Sequence, residues 1–460
     1  MPLALGKADE KRSALGAFAM YSLGIKTGRD AYSYSYSHPA LAANMERLCD
    51  SYRLSVESGE RIEDMTRINW TRSLIHEWEK RKRIAFDPQA ITEALYRPFC
   101  KKWLYYDPAL VEMMYRNARL FPKELVSEAN SDSREDVPQR EMMYRNARTS
   151  TPPLVNMVID AGGVGSAEFS VFASMTPVDL DAIKHGQCLP LHWYEKIQDG
   201  GGLFDEPASR PGDQVVTAPD RTRFVRHDAI TDETLSVFRE AYPGEASLQG
   251  DPSKAKTIVF AYIYGILNTP EYRKRYAANL TKELPRIPLA KNFKAFHQAG
   301  ARLLELHAGY ESAAPWTSKG GVANGVKEIW KTVDHDGFRI LDKLRFAKNG
   351  KDEDRTRIVV NQALTLENIP LEAYEWTIKG LSPVEWVMNQ YQVKTDKKSG
   401  NPSDPNQWGI EHDNPRYIVD LLEKAVTVSM RTQEILAGLP PLDPLPQTAN
   451  WPTYWATAES

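Results

Sequence analysis

The side chains able to do chemistry are scattered along this chain, and their spacing excludes most reactions they could serve. Its three cysteines, Cys49, Cys100 and Cys188, are odd in number, far apart and without a CxxC pair. Neither a disulfide framework nor a cysteine zinc site is expected, only reduced, buried thiols. The histidines fall at 38, 76, 185, 192, 227, 297, 307, 335 and 412. His297 and His307 share one predicted helix but lie ten residues apart, which is not metal-ligand spacing, so each His reads as structural. There is no GxxxxGKS/T phosphate loop, no GxSxG elbow and no HExxH pair. The GGVG string at 162–165 follows a predicted strand but leads into a second one, so it reads as a hairpin turn and not a dinucleotide loop. Thr151-Pro152-Pro153-Leu154 lacks the polar lead residue and the stacking aromatic with which amino-methyltransferases hold a flipped base. Nothing in the chain reads as a self-sufficient catalyst.

Charge carries the positive signal. The net charge is −3, but residues 67–103 hold nine Lys/Arg against four Asp/Glu, and residues 270–302 hold eight against two. Residues 199–251 invert this, with five against eleven. Gripping a polyanion takes a local positive surface and not a positive total. The same clustering is compatible with solvated helix faces.

The elements that must position these groups alternate in blocks. Tyr32, Tyr34 and Tyr36 alternate with Ser33, Ser35 and Ser37, which predicts one short strand. His38-Pro39 opens a helix carrying Leu41, Met45, Leu48 and Cys49 on one face. A second helix is expected from Trp70 to Trp78, and a short one after Asp87-Pro88. Strands are expected in LVNMVID, AEFSVFAS and QCLPLHWYE, followed by a polar loop within 199–226. TIVFAYIYGILN predicts an amphipathic helix, Thr269-Pro270-Glu271 the cap of a helix running to Pro285, and NFKAFHQAGARLLELHAGY a third. KEIWKTV, FRILDKLRFA and RIVVNQALTL read as strands, SPVEWVMNQY as a helix, and a long helix from Pro415 to about Ala437 closes the chain before the Pro-rich tail. Without a βαβ rhythm, the fold class is α+β, with mixed helical and β-containing subdomains.

Length bounds this architecture. At 460 residues the chain suits two to four domains, and 42% apolar residues are ample for a core. No apolar run approaches the ~18 residues of a membrane span, and the first twenty residues make a poor secretory signal, so a cytoplasmic protein is expected. The expected division is a helical or mixed segment at 1–119, a polar connection at 120–153, a central α+β subdomain at 154–320 and a C-terminal α+β subdomain at 321–460. The octapeptide EMMYRNAR occurs at 112–119 and again at 141–148. One such recurrence is a local duplication and not a solenoid.

Several strings in order carry a resemblance: SLGIKTGRDAYSYSYS with LAANMERLCDSY; INWTRSL with YRPFCKKWLYYD; GQCLPLHWYE; FAYIYGILNTPEYRKRYAANLTKELPRIPL; and SPVEWVMNQYQVKTDKKSGNPSDPNQW with NPRYIVDLL. Over residues 20–445 the chain resembles the C-terminal specificity region of Type ISP restriction–modification enzymes, and is similar to the target recognition part of related single-chain methyltransferase–nucleases. In that family one polypeptide carries a nuclease, a translocating helicase-like ATPase, a coupling segment, an adenine methyltransferase and then this region. The resemblance implies a DNA target recognition domain with duplex DNA as ligand. It implies methyltransferase and helicase/nuclease domains as partners in cis or trans, no membrane, and a bacterial cytoplasmic, nucleoid-associated setting. S-adenosylmethionine, ATP and Mg²⁺ would serve those other domains, with no cofactor in this chain. The chain starts where the methyltransferase of the family would end, as either a piece of a longer enzyme or a separately encoded protein. It departs from the family at 120–150.

A specificity domain positions itself on phosphates and reads base edges. The phosphate candidates are Arg72, Lys80, Arg81, Lys82 and Arg83, and Arg273, Lys274, Arg275 and Lys282. Consecutive Arg273, Lys274 and Arg275 spread over about 200° of a helix, so at most two can face one groove. Lys26, Thr27, Arg29 and Asp30, in a Gly-flanked loop, are candidates for contact near the target base, or else form a capping turn with a local Arg–Asp pair. Arg97, Lys101 and Lys102 sit among Tyr96, Phe99 and Trp103, a pattern that stacks and clamps nucleic acid or fills a core. Base-reading candidates are Arg221, Arg223, Arg226, Asn401 and Asn406. Two other readings stand beside sequence-specific DNA recognition: a fragment of an adenine-specific DNA methyltransferase acting with missing catalytic domains, and a protein-interaction module suited to the acidic 199–251 segment.

Overall fold

The computed structural model describes residues 16–129, 156–162, 168–184, 186–197, 212–332 and 337–446. The GGVG turn beyond Gly162, most of the polar connection, the second EMMYRNAR copy and the DGGGLFDEPASRP stretch lie outside them. Helices and antiparallel sheets alternate, as an α+β fold requires.

The first sheet has the strand order Ser22–Leu23, Gln187–Pro190, Val158–Ala161, Val171–Ser174. Both of its faces are covered. Val158, Phe172 and Cys188 enter one apolar core, while Ile159, Ala161, Val171, Ala173 and Leu189 enter a second. Period-2 alternation thus makes this sheet the wall between two cores. His192–Lys196, Arg223–Asp228 and Gln214–Thr217 form a second sheet. Lys327–Trp330, Leu364–Glu367, Asp352–Val359 and Arg345–Asn349 form a third.

Local signals explain the helix ends. Ser37 Oγ accepts from the Ala40 amide at 3.3 Å to start helix His38–Ser58, and Gly59 at φ +76° ends it. Ser382 and Glu385 make a reciprocal capping box at the start of Pro383–Gln390. Helices Pro252–Asn268 and Phe293–Ala308 pack together, and the closing helix Tyr417–Ala437 lies against the latter.

Several expectations are corrected. The Tyr/Ser alternation is not one strand: Asp30–Ser33 is a helical turn and only Tyr34–Ser35 pairs, so Ser33 and Ser35 are buried beside the tyrosines. The helix expected after Asp87-Pro88 is a single turn, Pro88–Ala90, followed by strand Ile91–Arg97, which pairs with Cys100–Tyr105. Helix Pro252–Asn268 is not amphipathic in its last turns. Every residue from Val259 to Asn268 is buried, because neighbours cover it all round. The helix expected to run to Pro285 breaks into Pro270–Arg275 and Ala277–Leu280. Of FRILDKLRFA, only Arg345 onward is strand.

Candidate nucleic-acid interface

The sequence-predicted cations divide into exposed and interior groups. Thr71 caps helix Arg72–Glu79, which ends in a turn where Arg81 takes φ +53°. Arg72, Lys80, Arg81, Lys82 and Arg83 are all exposed there. Lys82 pairs with Glu77 at 2.8 Å, whereas Arg72, Arg81 and Arg83 have no ion pair among the described residues. Arg221, at φ +70°, and Arg223 are exposed at a hairpin tip braced by the Asp220 carboxylate, which accepts the Thr222 amide at 2.8 Å. Lys274, Arg275 and Lys282 are exposed, with Arg275 bound to Glu271.

The others turn inward. In the 26–30 loop only Lys26 and Gly28 face solvent. Thr27 donates to Asp30, whose second oxygen accepts from Tyr96 at 3.1 Å. Arg29 is 2% exposed and donates to Thr71 Oγ1. Burial lowers its pKa to about 10 against the pull of Glu112. This is the capping-turn alternative, but with Arg29 bound to Thr71 and not to Asp30. Gly28, at φ +68°, lets the turn pass: a Cβ there would lie 3.1 Å from both Thr71 and Glu112.

Arg97, Lys101 and Lys102 belong to an interior cation–aromatic network. Arg97 lies over Tyr96 at 4.0 Å and pairs with Asp179 at 2.7 Å. Lys101 pairs with Glu311 and, at 3.7 Å, with Glu93. The Lys102 ammonium sits 3.9 Å from the Tyr96 ring centroid and 4.6 Å from that of Tyr36, and burial lowers its pKa to about 8. Arg273 donates to the Leu267 carbonyl at 2.9 Å and Asn268 Oδ1 at 3.1 Å, closing the end of helix Pro252–Asn268. Arg226 is buried against Gln214 at 2.8 Å. Asn401 joins Arg47 to the Ala31 carbonyl, and Asn406 holds both backbone groups of Ile340. These side chains are committed to folding contacts in this structure.

Sequence reading missed two clefts beside the third sheet that expose cations. An open cleft of about 730 Å³ is lined by Lys331, Arg339, Leu341, Gln362 and Asp404 among others. A neighbouring cleft of about 370 Å³ is lined by Lys343, Arg345, Lys348, Glu353, Glu385 and Gln392 among others. The available signal was the run from Arg339 to Lys348, with four cations and one acid. Read as a strand, that run places Arg339, Lys343 and Arg345 on one face and Lys348 on the other. Among the described residues no His/Cys/Asp/Glu cluster could hold a metal ion, and no helix is long and apolar enough to cross a membrane. The surface therefore offers cations and hydrogen-bonding groups for a polyanion.

The chain matches the model of the Type ISP C-terminal specificity domain over residues 16–131 and 138–421. The break falls inside the stretch around the duplicated octapeptide. No curated protein matches. Among solved structures, the chain is similar to a nuclease-deletion mutant of the Type ISP restriction-modification enzyme LlaGI in complex with a DNA substrate mimic. That likeness has 28% identity and a TM-score of 0.69, covering 96% of this chain and 29% of that one. It is also similar to the ATP-dependent Type ISP enzyme LlaBIII bound to DNA, with 28% identity, a TM-score of 0.73, and 96% and 24% covered. A third likeness is to DrdV in a DNA complex, with 25% identity, a TM-score of 0.71, and 95% and 38% covered. The chain thus spans only about a quarter to two-fifths of those chains.

Proposed function

This chain belongs to the family of Type ISP C-terminal specificity domains, and from that premise we propose that it recognises a specific duplex DNA sequence for a restriction–modification system. The observation that carries this reading is the family match over nearly the whole chain, together with likeness to three enzymes held on DNA. The exposed cations Arg72, Arg81, Arg83, Arg221, Arg223 and Lys274 act as phosphate or base contacts. Lys26 marks the side nearest the target base, and Arg29, Arg97, Lys101, Lys102 and Arg273 serve that surface from beneath it by fixing the backbone. The partners are an adenine methyltransferase and helicase/nuclease domains, in cis or trans. S-adenosylmethionine, ATP and Mg²⁺ act on those domains, in a bacterial cytoplasm with the nucleoid as target.

Selection of bound duplexes from a random DNA pool, repeated across a salt series, tests this. An enriched motif of several base pairs is expected, with affinity falling steeply in salt. Absence of binding at low salt overturns the reading.

A further inference from the structure

The run from Gly337 to Leu344 combines a fixed backbone with an exposed apolar tip. Its backbone is held by two asparagine side chains. Asn361 Nδ2 donates to the Gly337 carbonyl at 2.6 Å and the Arg339 carbonyl at 3.0 Å. Asn406 accepts the Ile340 amide and donates to the Ile340 carbonyl, both at 2.8 Å. Downstream, the Asp342 backbone carbonyl accepts the Val393 amide at 2.8 Å. Ile340 and Leu344 are buried on either side, yet Leu341 between them is 64% exposed. Among the described residues no large apolar side chain is more exposed. A single exposed leucine is ordinary on a protein surface. A leucine standing on a backbone pinned from both sides is a rigid projection, already ordered before any partner arrives.

Cations stand on both sides of it. Lys331 and Arg339 line the cleft that Leu341 itself borders, and Lys343 begins the next one. Among the described residues, Asp404 accepts from the Asn406 amide at 3.0 Å and from Arg339 at 3.4 Å, Asp342 binds Arg345, and Glu385 binds Arg355. Lys331 and Lys343 have no ion pair among the described residues. An apolar tip flanked by free cations is complementary to a duplex, whose phosphates lie on either side of an apolar stack. Leu side chains inserted at a base step unstack it and bend the helix.

We propose that Leu341 is a wedge that enters a base step of the bound duplex, with Lys331 and Lys343 on the flanking phosphates. The inference rests on the DNA-recognition reading and adds a specificity device to it: deformability at the wedged step is read as energy. The probe is the duplex recovered by selection, prepared as a set with one 2-aminopurine scanned through it. With the wild-type chain, fluorescence should rise at one step as the base unstacks. Leu341→Ala should abolish that rise and weaken binding about tenfold, and Leu341→Phe should retain it. Lys331→Gln with Lys343→Gln should lower the slope of log affinity against log salt by about 1.8, at about 0.9 for each phosphate contact. Wild-type binding without a rise at any step, or a rise unchanged in Leu341→Ala, overturns the wedge and leaves DNA recognition standing. A wild-type chain that binds no duplex overturns both.

Discussion

Asp160 lies in the middle strand of the first sheet, opposite Phe172 on one neighbour and Cys188 on the other, and is fully buried. Burial pushes its carboxyl well above the usual carboxylate range, so the folded chain holds it protonated where the unfolded chain would ionise it. The contribution of this group to stability is therefore greatest below the unfolded carboxyl pKa of about 4, and falls as pH rises towards the folded value. Asp160→Asn should be more stable than wild type at pH 8, with the difference vanishing by pH 4 in urea titrations. A constant difference across that range would show that Asp160 is ionised in the fold. The interior cations teach a related lesson about legibility. Arg29, Arg97 and Lys101 bond to Thr71, Asp179 and Glu311, which lie 42, 82 and 210 residues away. A charge count along the sequence cannot see partners at that separation. The Arg273 contacts are only five and six residues back, and an Arg just past a helix end was a readable sign of capping.

At the scale of elements, helices were legible where apolar spacing ran unbroken. Pro383–Gln390 and Tyr417–Ala437 fall within the stretches SPVEWVMNQY and Pro415 to about Ala437 that the sequence marked as helical. Strand Ile91–Arg97 was not legible, because its identity comes from pairing with Cys100–Tyr105 across a turn in which Phe99 takes φ +58°. The buried pair Pro252–Asn268 and Phe293–Ala308 depends on two glycines that the apolar pattern did not flag. A Cβ on Gly300 would lie 1.8 Å from the Ala261 carbonyl oxygen, and one on Gly265 would lie 2.3 Å from that of Phe296. Gly costs helix stability locally, so two facing glycines in a helix pair are a sign of close backbone approach. Gly300→Ala should cost about 3 kcal/mol by forcing the helices apart, seen as a lower urea midpoint at unchanged slope. A neutral outcome would mean that the pair can slide without loss.

For the whole molecule, the expected segments 1–119, 154–320 and 321–460 all contribute to one core. Leu104, Val158 and Leu422 belong to the same cluster, and Trp193, Leu306 and Leu436 pack against both major clusters. His307 ties three elements together: Nδ1 to Tyr264 Oη at 2.6 Å, Nε2 to Thr432 Oγ1 at 2.8 Å, and the ring stacked on Trp376. Burial lowers its pKa to about 3, so it stays neutral in these contacts. Far-UV circular dichroism and tryptophan fluorescence should therefore report one coincident urea transition. Two separated transitions would mean that the segments are independent folding units. The α+β class was visible in the sequence, as was the cluster of cations that stands exposed at Arg72 and 80–83. The clefts of the third sheet were not, because they form where Asn361 and Asn406 meet a run from another part of the chain.

The sheet that walls off one core from the other also governs how such chains can be recombined. Its strands come from residues 22–23, 158–161, 171–174 and 187–190, and each face presents side chains to a different set of helices. A crossover between this chain and a relative at 28% identity, made at residue 154 or 321, would join halves whose interdigitating side chains were never matched. Grafting the recognition properties of one such protein onto another thus calls for transplanting the entire unit. Solvent-facing positions such as Arg221, Leu341 and Lys343 can change without disturbing either interior.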